Sequence, residues 1–178
     1  MPNREAILFI DGSNFYHNSK QLIEESNSID FNLLAQFLCK KFELELKQIR
    51  YYNAVPDINK NKEVYYNHLR FLDKLKKGNI LVKTRKLKYI KNTDIKIEKG
   101  VDVLIASDMI RKSLVEKECE VCILISGDSD FIPAMEIIKR AKYEVIVSSP
   151  KQGFSNELRQ GKFRYHILKK EDLDKCLK

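Results

Sequence analysis

Four aspartates stand where apolar runs of the sequence end or where helical patterns begin. Asp11 directly follows the apolar run "AILFI", and Asp128 follows the run "VCILIS" after one glycine. Asp130 opens the helical pattern after that second run, and Asp102 opens the helical pattern that leads into it. Carboxylates at such positions can hold a metal ion and activate water for hydrolysis of a phosphate ester.

The surrounding pattern predicts the elements that would position these acids. Strand-like apolar runs alternate with helical stripes, which indicates an α/β fold of three layers around a mostly parallel sheet. The predicted strands are Ala6–Ile10, Ile49–Val55, Ile80–Lys88, Val121–Ile125, Glu144–Ser148 and Arg164–Leu168. The predicted helices are Phe31–Leu38, which Asp30 would cap, Val64–Leu75, which follows Asp57, Val101–Val115 and Phe131–Ala141. The segment Asn92–Lys99 is predicted to be a flexible connection.

This architecture predicts that the four acids converge. Ligand sites of open α/β sheets lie beyond the carboxyl ends of the strands, and crossover helices begin at that same edge. Two unit charges about 4 Å apart repel by about 4 kcal/mol at an effective dielectric constant of 20, so such a cluster needs protonation or a cation. Oxygen ligands, with the amide of Asn14 beside them, favour Mg²⁺ or Mn²⁺ over zinc.

Taken one at a time, these acids also have structural explanations. Asp130 is a good helix N-cap, Asp102 suits the positive end of a helix, and Asp11 can start a turn with Gly12. We therefore base the metal hypothesis on their convergence and not on any one of them.

Three further residues are predicted to support the site. Asp108 shares a helical face with apolar residues, so we expect it to bond to backbone or to Asn14 at the edge of the sheet. Ser13 and Ser126 are expected to bond to phosphate or to the acids.

The net charge, the basic residues and the absence of other catalytic motifs limit the possible functions. A formal charge of +8 favours a polyanionic partner, although it also serves solubility. The segment "LVKTRKLKYIK" is either a charged edge strand or a surface for nucleic-acid phosphates, to which Lys83, Arg85, Lys86 and Lys88 would contribute. The three histidines are isolated in the sequence, and no G-x-x-x-x-G-K-[ST] phosphate loop is present.

The four cysteines are too scattered for a secreted disulfide framework. Cys119 and Cys122 are expected to lie on one strand and to point to opposite faces, so that they would not share a metal. The chain, residues 1–178, is expected to form one domain. With neither a membrane span nor a signal-peptide pattern, a cytoplasmic location without membrane association is expected.

Three stretches of the sequence resemble the signature blocks of the NYN domain, in the LabA-like branch of the PIN-like nucleases: "ILFIDGSNFY", "KGVDVLIASDMI" and "ILISGDSDFIPAMEIIKRAKYEVIV". The resemblance implies a Rossmann-like sheet of strand order 3-2-1-4-5 and usually RNA as substrate. By position it implies that Asp11, Asp102 and Asp128 bind metal. It implies further that Asp130 is another ligand or orients water, and that Asn14 completes the site.

The expected function is therefore a metal-dependent endoribonuclease acting on single-stranded or structured RNA. The alternative is a regulatory RNA-binding or protein-interaction module with a weak or inactive site, and a metal-dependent phosphatase would use the same acids. Many relatives carry an alanine-aspartate pair where this chain has Gly161 and Lys162. A homodimer is left open.

Overall fold

Six parallel strands form the central sheet of the molecule. The computed structural model describes residues 3–23, 29–89, 96–97 and 100–177. The strands are β1 (Arg4–Asp11), β2 (Leu44–Val55), β3 (Leu81–Lys86), β6 (Val121–Ile125), β7 (Glu144–Pro150) and β8 (Arg164–Leu168). Their order is β3-β2-β1-β6-β7-β8, which is the implied 3-2-1-4-5 order with a sixth strand added at one edge. A separate antiparallel pair joins β4 (Lys88–Tyr89) to β5 (Lys96–Ile97).

Helices cover both faces of the sheet. They are α1 (Gly12–Ser19), α2 (Phe31–Phe42), α3 (Lys62–Lys77), α4 (Val101–Ile110), α5 (Ile132–Arg140), α6 (Asn156–Gln160) and α7 (Lys170–Asp174). A π-helical turn, Arg111–Val115, extends α4, and a 3₁₀ turn, Ser129–Phe131, leads into α5. Within the described residues, no helix is both long and apolar enough to cross a bilayer.

The central strands are buried on both sides, which explains their unbroken apolar sequences. Along β1, Leu8 and Ile10 pack into a core with α2 and α3, whereas Ile7 and Phe9 pack into a second core with α4 and α5. Side chains alternate between faces along a strand, so one apolar run serves both cores. The predicted three-layer α/β class is confirmed.

Most predicted elements are present, with shifted ends. Asp30 caps α2 as expected, accepting hydrogen bonds from two backbone N–H groups. The cap of α3 is Asn61 and not Asp57, whose Oδ1 instead accepts from Asn59 N–H within a turn. The helix α1, directly after β1, was not predicted. The expected connection at Asn92–Lys99 lies mostly outside the described residues.

The expected separation of Cys119 and Cys122 is wrong. Their sulfur atoms lie 3.9 Å apart, both side chains are buried, and both belong to the core beneath α4. The alternation rule does not apply because β6 starts only at Val121, so Cys119 precedes the strand. Among the described residues, no third His, Cys, Asp or Glu completes a metal set with them.

Two loops meet closely where the central strands end. A Cβ atom built on Gly127, in the loop after β6, would overlap the backbone of Gly153 in the loop after β7. The N–H of Ser155 donates a hydrogen bond to the Gly127 carbonyl at 2.9 Å. Glycine at 127 therefore allows the loop that carries Asp128 to pack against its neighbour.

We expect Gly127→Ala to lower the free energy of unfolding by roughly 1–3 kcal/mol, the usual range for an overpacked site. Gly78→Ala is the matched control, because the nearest atom to its Cβ would be 3.3 Å away, which needs only a small shift, against 2.0 Å at Gly127, and the φ of −84° is open to alanine. Chemical denaturation of both variants measures the difference. Equal effects would show that the two loops adjust freely.

Candidate functional site

Asp11 lies at the carboxyl end of β1 and is buried, with 4% of its surface exposed. Its Oδ1 accepts a hydrogen bond from the Asn14 N–H at 3.0 Å, so it is also the N-cap of α1. Its Oδ2 accepts from the Ser126 hydroxyl at 3.2 Å. The sequence suggested that Asp11 starts a turn with Gly12; it instead caps a helix, and this bond fixes the direction of the carboxylate.

Ser126 and Asn14 connect Asp11 to the loop after β6. The Ser126 hydroxyl, which donates to Asp11, also accepts from the Asp128 N–H at 3.3 Å. The Asn14 Oδ1 accepts from the Gly127 N–H at 3.1 Å and from the Asn18 amide at 2.9 Å. Both residues thereby set the position of the Asp128 backbone relative to Asp11.

Asp102, Asp128 and Asp130 form the more exposed part of this edge. Asp102 lies in the first turn of α4, and the Asp128 Oδ1 accepts from the Asp130 N–H at 2.9 Å as the cap of the 3₁₀ turn. Loss of solvent around its carboxyl raises the pKa of Asp102, and the negative charges of Asp128 and Asp130 raise it further. Together with Asp11, these residues are called the acidic edge below.

The donor chemistry of the acidic edge fits a hard divalent cation. Carboxylate oxygens are the ligands that Mg²⁺ and Mn²⁺ prefer, and the mutual repulsion at Asp102 is what a cation relieves. In the part of the chain that the structure describes, no three His, Cys, Asp or Glu side chains stand close enough to hold a metal. A bound cation would therefore have to draw the carboxylates closer together.

Asp108 lies away from the acidic edge, contrary to expectation. It follows Asp102 by six residues, which is about 9 Å along the helix axis, and its partners are not Asn14 or backbone. Its carboxylate forms ion pairs with the Arg50 guanidinium at 3.1 Å, the Lys83 ammonium at 2.6 Å and the Arg111 guanidinium at 2.8 Å. The Tyr52 hydroxyl also donates to it, at 2.8 Å.

This buried ion cluster joins α4 to β2 and β3. Burial by itself would raise the pKa of Asp108. The hydrogen bonds from Lys83, Arg111 and Tyr52, with the charge of Arg50, outweigh burial and hold that pKa well below its usual range. Asp108 and Arg50 are each 3% exposed, so each needs the other as a partner.

The basic segment, Lys83, Arg85, Lys86 and Lys88, lies along the edge strand β3 and just beyond it. Lys83 is already paired with Asp108. Arg85, Lys86 and Lys88 are exposed, and no carboxylate among the described residues pairs with them. Arg85 and Lys86 lie opposite Ala54 and Val55 of β2, beyond the level of Asp11. An edge strand protected by charge and a phosphate-binding surface both agree with this placement.

A cavity of about 650 Å³ beside the acidic edge was missed by the sequence reasoning. Gly12 and Ser13, directly after Asp11, line it, as do His17 and His68, which looked isolated in the sequence. Tyr51 also lines it and packs so closely on Gly12 that a Cβ atom there would overlap the phenol. The only signal in the sequence was the density of aromatic residues in segments expected to form the core.

Comparison with known families agrees with this architecture. The family profile described as "NYN domain" matches residues 5–169, which is nearly the whole chain. No curated protein and no solved structure matched the chain.

Asp108→Asn should lower the free energy of unfolding at pH 7 by about 3–5 kcal/mol, because it leaves the buried Arg50 charge without its anion. Since the folded-state pKa of Asp108 is depressed, its stabilisation is present above the unfolded pKa of about 3.9 and is lost as pH falls further. The deficit of the variant should therefore be constant above about pH 5 and shrink below about pH 4.

Urea denaturation across pH measures this deficit, with Asp73→Asn as the control. Asp73 forms an exposed pair with Lys76 at 3.2 Å, and its loss should cost less than about 1 kcal/mol. A deficit for Asp108→Asn that matches the control at pH 7 would contradict the buried ion cluster.

Proposed function

The chain belongs to the NYN domain family, and from this premise we propose that it is a metal-dependent endoribonuclease whose centre is the acidic edge. The family lies within the PIN-like nuclease superfamily, to which the parallel sheet with its acids at the carboxyl ends of the strands also conforms. The proposed reaction is hydrolysis of an RNA phosphodiester by water.

The observation that carries the proposal is the electrostatic coupling of acids from separate elements. Asp102 comes from α4, whereas Asp128 and Asp130 come from the loop after β6, and their charges raise the pKa of Asp102. The Ser126 hydroxyl links the backbone N–H of Asp128 to the carboxylate of Asp11 on β1. Like charges brought together from two elements disfavour folding, and a bound cation would offset that cost.

Each residue of the acidic edge has a proposed role. Asp11, Asp102 and Asp128 would hold Mg²⁺ or Mn²⁺, and Asp130 would be a further ligand or would orient the attacking water. When bound, the cation supplies the positive charge that activates water and stabilises the oxygen leaving from phosphorus. Ser126 keeps the Asp11 carboxylate directed toward the loop after β6.

Asn14 is proposed to act through position and not through contact with the reacting atoms. Its Oδ1 already accepts two hydrogen bonds, one from Asn18 within α1 and one from the Gly127 N–H, and the second holds α1 against the loop that carries Asp128. Ser13 lies at the start of α1 and lines the adjoining cavity, where it can bond to phosphate.

Arg85, Lys86 and Lys88 are proposed to bind RNA phosphates beside the centre. They lie two strands from β1, roughly 10 Å across the sheet, at the same edge as the acids. Lys83 is proposed to contribute less, because its ammonium group is already paired with the Asp108 carboxylate.

A regulatory RNA-binding module is the second candidate, and one observation favours it. Asp11 and Asp128 each use an oxygen to cap a helical turn, which gives both a structural purpose without catalysis. Such a module would retain the fold and the basic surface while lacking turnover.

Asn at Asp102 or Asp128 should abolish Mn²⁺-dependent cleavage of labelled RNA while leaving RNA binding through the basic surface intact. Without metal, Asp128→Asn should melt no lower than wild type, because asparagine caps as well as aspartate and one repelling charge is removed. At a metal concentration of 100 times Kd, bound metal should raise the free energy of unfolding of wild type by about 2.7 kcal/mol, and that of the variant by less.

Asp30→Asn is the matched control, since Asp30 caps α2 by the same type of hydrogen bond and is not part of the acidic edge. It should cleave like wild type. If all acidic-edge variants cleave normally, the proposed centre is wrong. If wild type binds RNA with any divalent cation present and never cleaves it, the regulatory module is favoured.

Joint substitution of Arg85, Lys86 and Lys88 by Gln should weaken RNA binding and flatten its salt dependence. Each lost contact to a single strand removes about 0.7 from the slope of log K against log salt concentration, so three contacts remove roughly 2. The control replaces Lys74, Lys76 and Lys77, at the C-terminal end of α3, which lies at the opposite edge of the sheet. Equal slopes for both triple variants would leave the basic segment as a charged edge strand only.

A further inference from the structure

The aromatic cavity beside the acidic edge has the position of a substrate subsite. Its volume of about 650 Å³ is within the range of small-molecule sites. Gly12 and Ser13 of α1 form one wall, Asn53 at the end of β2 forms another, and Asn67 of α3 closes the third. An occupant would therefore lie next to the residue that follows Asp11, on the side of β1 that faces β3.

The walls are built from aromatic rings in mutual contact. Ring centroids are separated by 5.4 Å from Phe15 to Phe31, by 5.3 Å from Phe31 to Tyr51, and by 5.7 Å from Tyr51 to Phe71. His68 continues this chain at 6.4 Å from Phe71. Phe15, Phe31 and Tyr51 are almost fully buried, so they support the cavity, whereas the Tyr16 ring, which also lines it, is 43% exposed. An exposed aromatic face of this kind can stack on a nucleobase that is not paired in a duplex.

The polar side chains that line the cavity are hydroxyls, amides and imidazoles. Among the described residues that line it, there is no Asp, Glu, Lys or Arg. The Asn53 amide is held in one orientation, because its Oδ1 accepts from the Ala54 N–H at 2.8 Å and its Nδ2 donates to the Tyr51 hydroxyl at 3.3 Å. Fixed amides and uncharged rings suit the edge and face of a base.

His68 adds a further ring to the lining of the cavity. Burial lowers the pKa of His68, so the ring is neutral at neutral pH. Its Nε2 has almost no accessible surface, so we expect His68 to contribute its ring and not a hydrogen bond from this atom.

We propose that this cavity binds one unpaired nucleobase of the RNA strand whose backbone crosses the acidic edge. The identity of that strand rests on the function proposed above, whereas the preference for a neutral aromatic heterocycle rests on the cavity alone. The bound base orients the neighbouring phosphate and gives the protein a base preference that the phosphate contacts cannot provide.

Binding of adenosine, guanosine, cytidine and uridine to the full chain, measured by titration calorimetry or saturation-transfer NMR, tests the cavity directly. At least one nucleoside should bind. Asn67→Ala and His68→Ala should each lower its affinity roughly tenfold, as expected for the loss of one stacking or polar contact. Asn67 is exposed, so its variant keeps the fold even if His68→Ala does not. Tyr66→Ala, on the same helix with a 49% exposed ring outside the cavity, should bind like wild type.

A second measurement connects the cavity to the strand. In the Asp128→Asn background, RNA oligomers with one abasic nucleotide at successive positions should bind normally except at one position. There the abasic nucleotide should lower the affinity for RNA roughly tenfold when the cavity is intact, and it should have no effect on affinity after Asn67→Ala. No nucleoside binding by wild type, or equal binding by wild type and both cavity variants, would overturn the proposal.

The two proposals fail separately. Metal-dependent cleavage with no abasic-sensitive position and no nucleoside binding would remove the cavity site and leave the nuclease. Nucleoside binding that depends on Asn67 and His68, in a protein that never cleaves RNA, would support the cavity site and remove the nuclease.

Discussion

The hydroxyl of Ser126 joins the ends of the two central strands, and the acidic edge depends on it. It donates to the Asp11 carboxylate on β1 and accepts from the Asp128 N–H in the loop after β6. This arrangement brings negative charge together, which is unfavourable. Part of the cost is offset because Asp11 caps α1 and Asp102 lies in the first turn of α4, where helix termini carry partial positive charge. Asn14 then holds the loop in place through the Gly127 N–H.

The positions of these acids could be predicted because they follow from strand ends. An apolar run that is buried on both faces must stop where the chain leaves the sheet, and parallel strands leave at one edge. The partners of Asp108 could not be predicted in this way. The apolar stripe of α4 shows which side of the helix faces the sheet, but not that Arg50 and Lys83, from two other strands, extend to the same point. The error over Cys119 has a similar origin, since alternation predicts faces only within a strand and β6 begins two residues later.

The cavity could not be predicted from the sequence, for a different reason. Its walls come from α1, the start of α2, the end of β2, α3 and the residue after β3, and no periodicity links these segments. Phe31, Tyr51 and Phe71 have the spacing of ordinary core residues, and the first two are indeed almost fully buried. Whether aromatic residues close a core or line a cavity is decided by how the helices are set against the sheet, which a single sequence does not encode in any local pattern.

The carboxyl edge of the sheet is negatively charged on one side and positively charged on the other. The acids lie at the ends of β1 and β6 and in the first turn of α4, and the cavity opens at the end of β2. Arg85, Lys86 and Lys88, which have no carboxylate partner among the described residues, lie on β3 and beyond it. The Asp108 cluster contributes to this separation, because its carboxylate pairs with Lys83 and Arg50 below the edge and leaves Arg85, Lys86 and Lys88 as the exposed cations. A polyanion is attracted to the β3 side and repelled by the bare acids. A cation on the acids would remove that repulsion, so binding of metal and binding of a strand across the full edge are expected to favour each other.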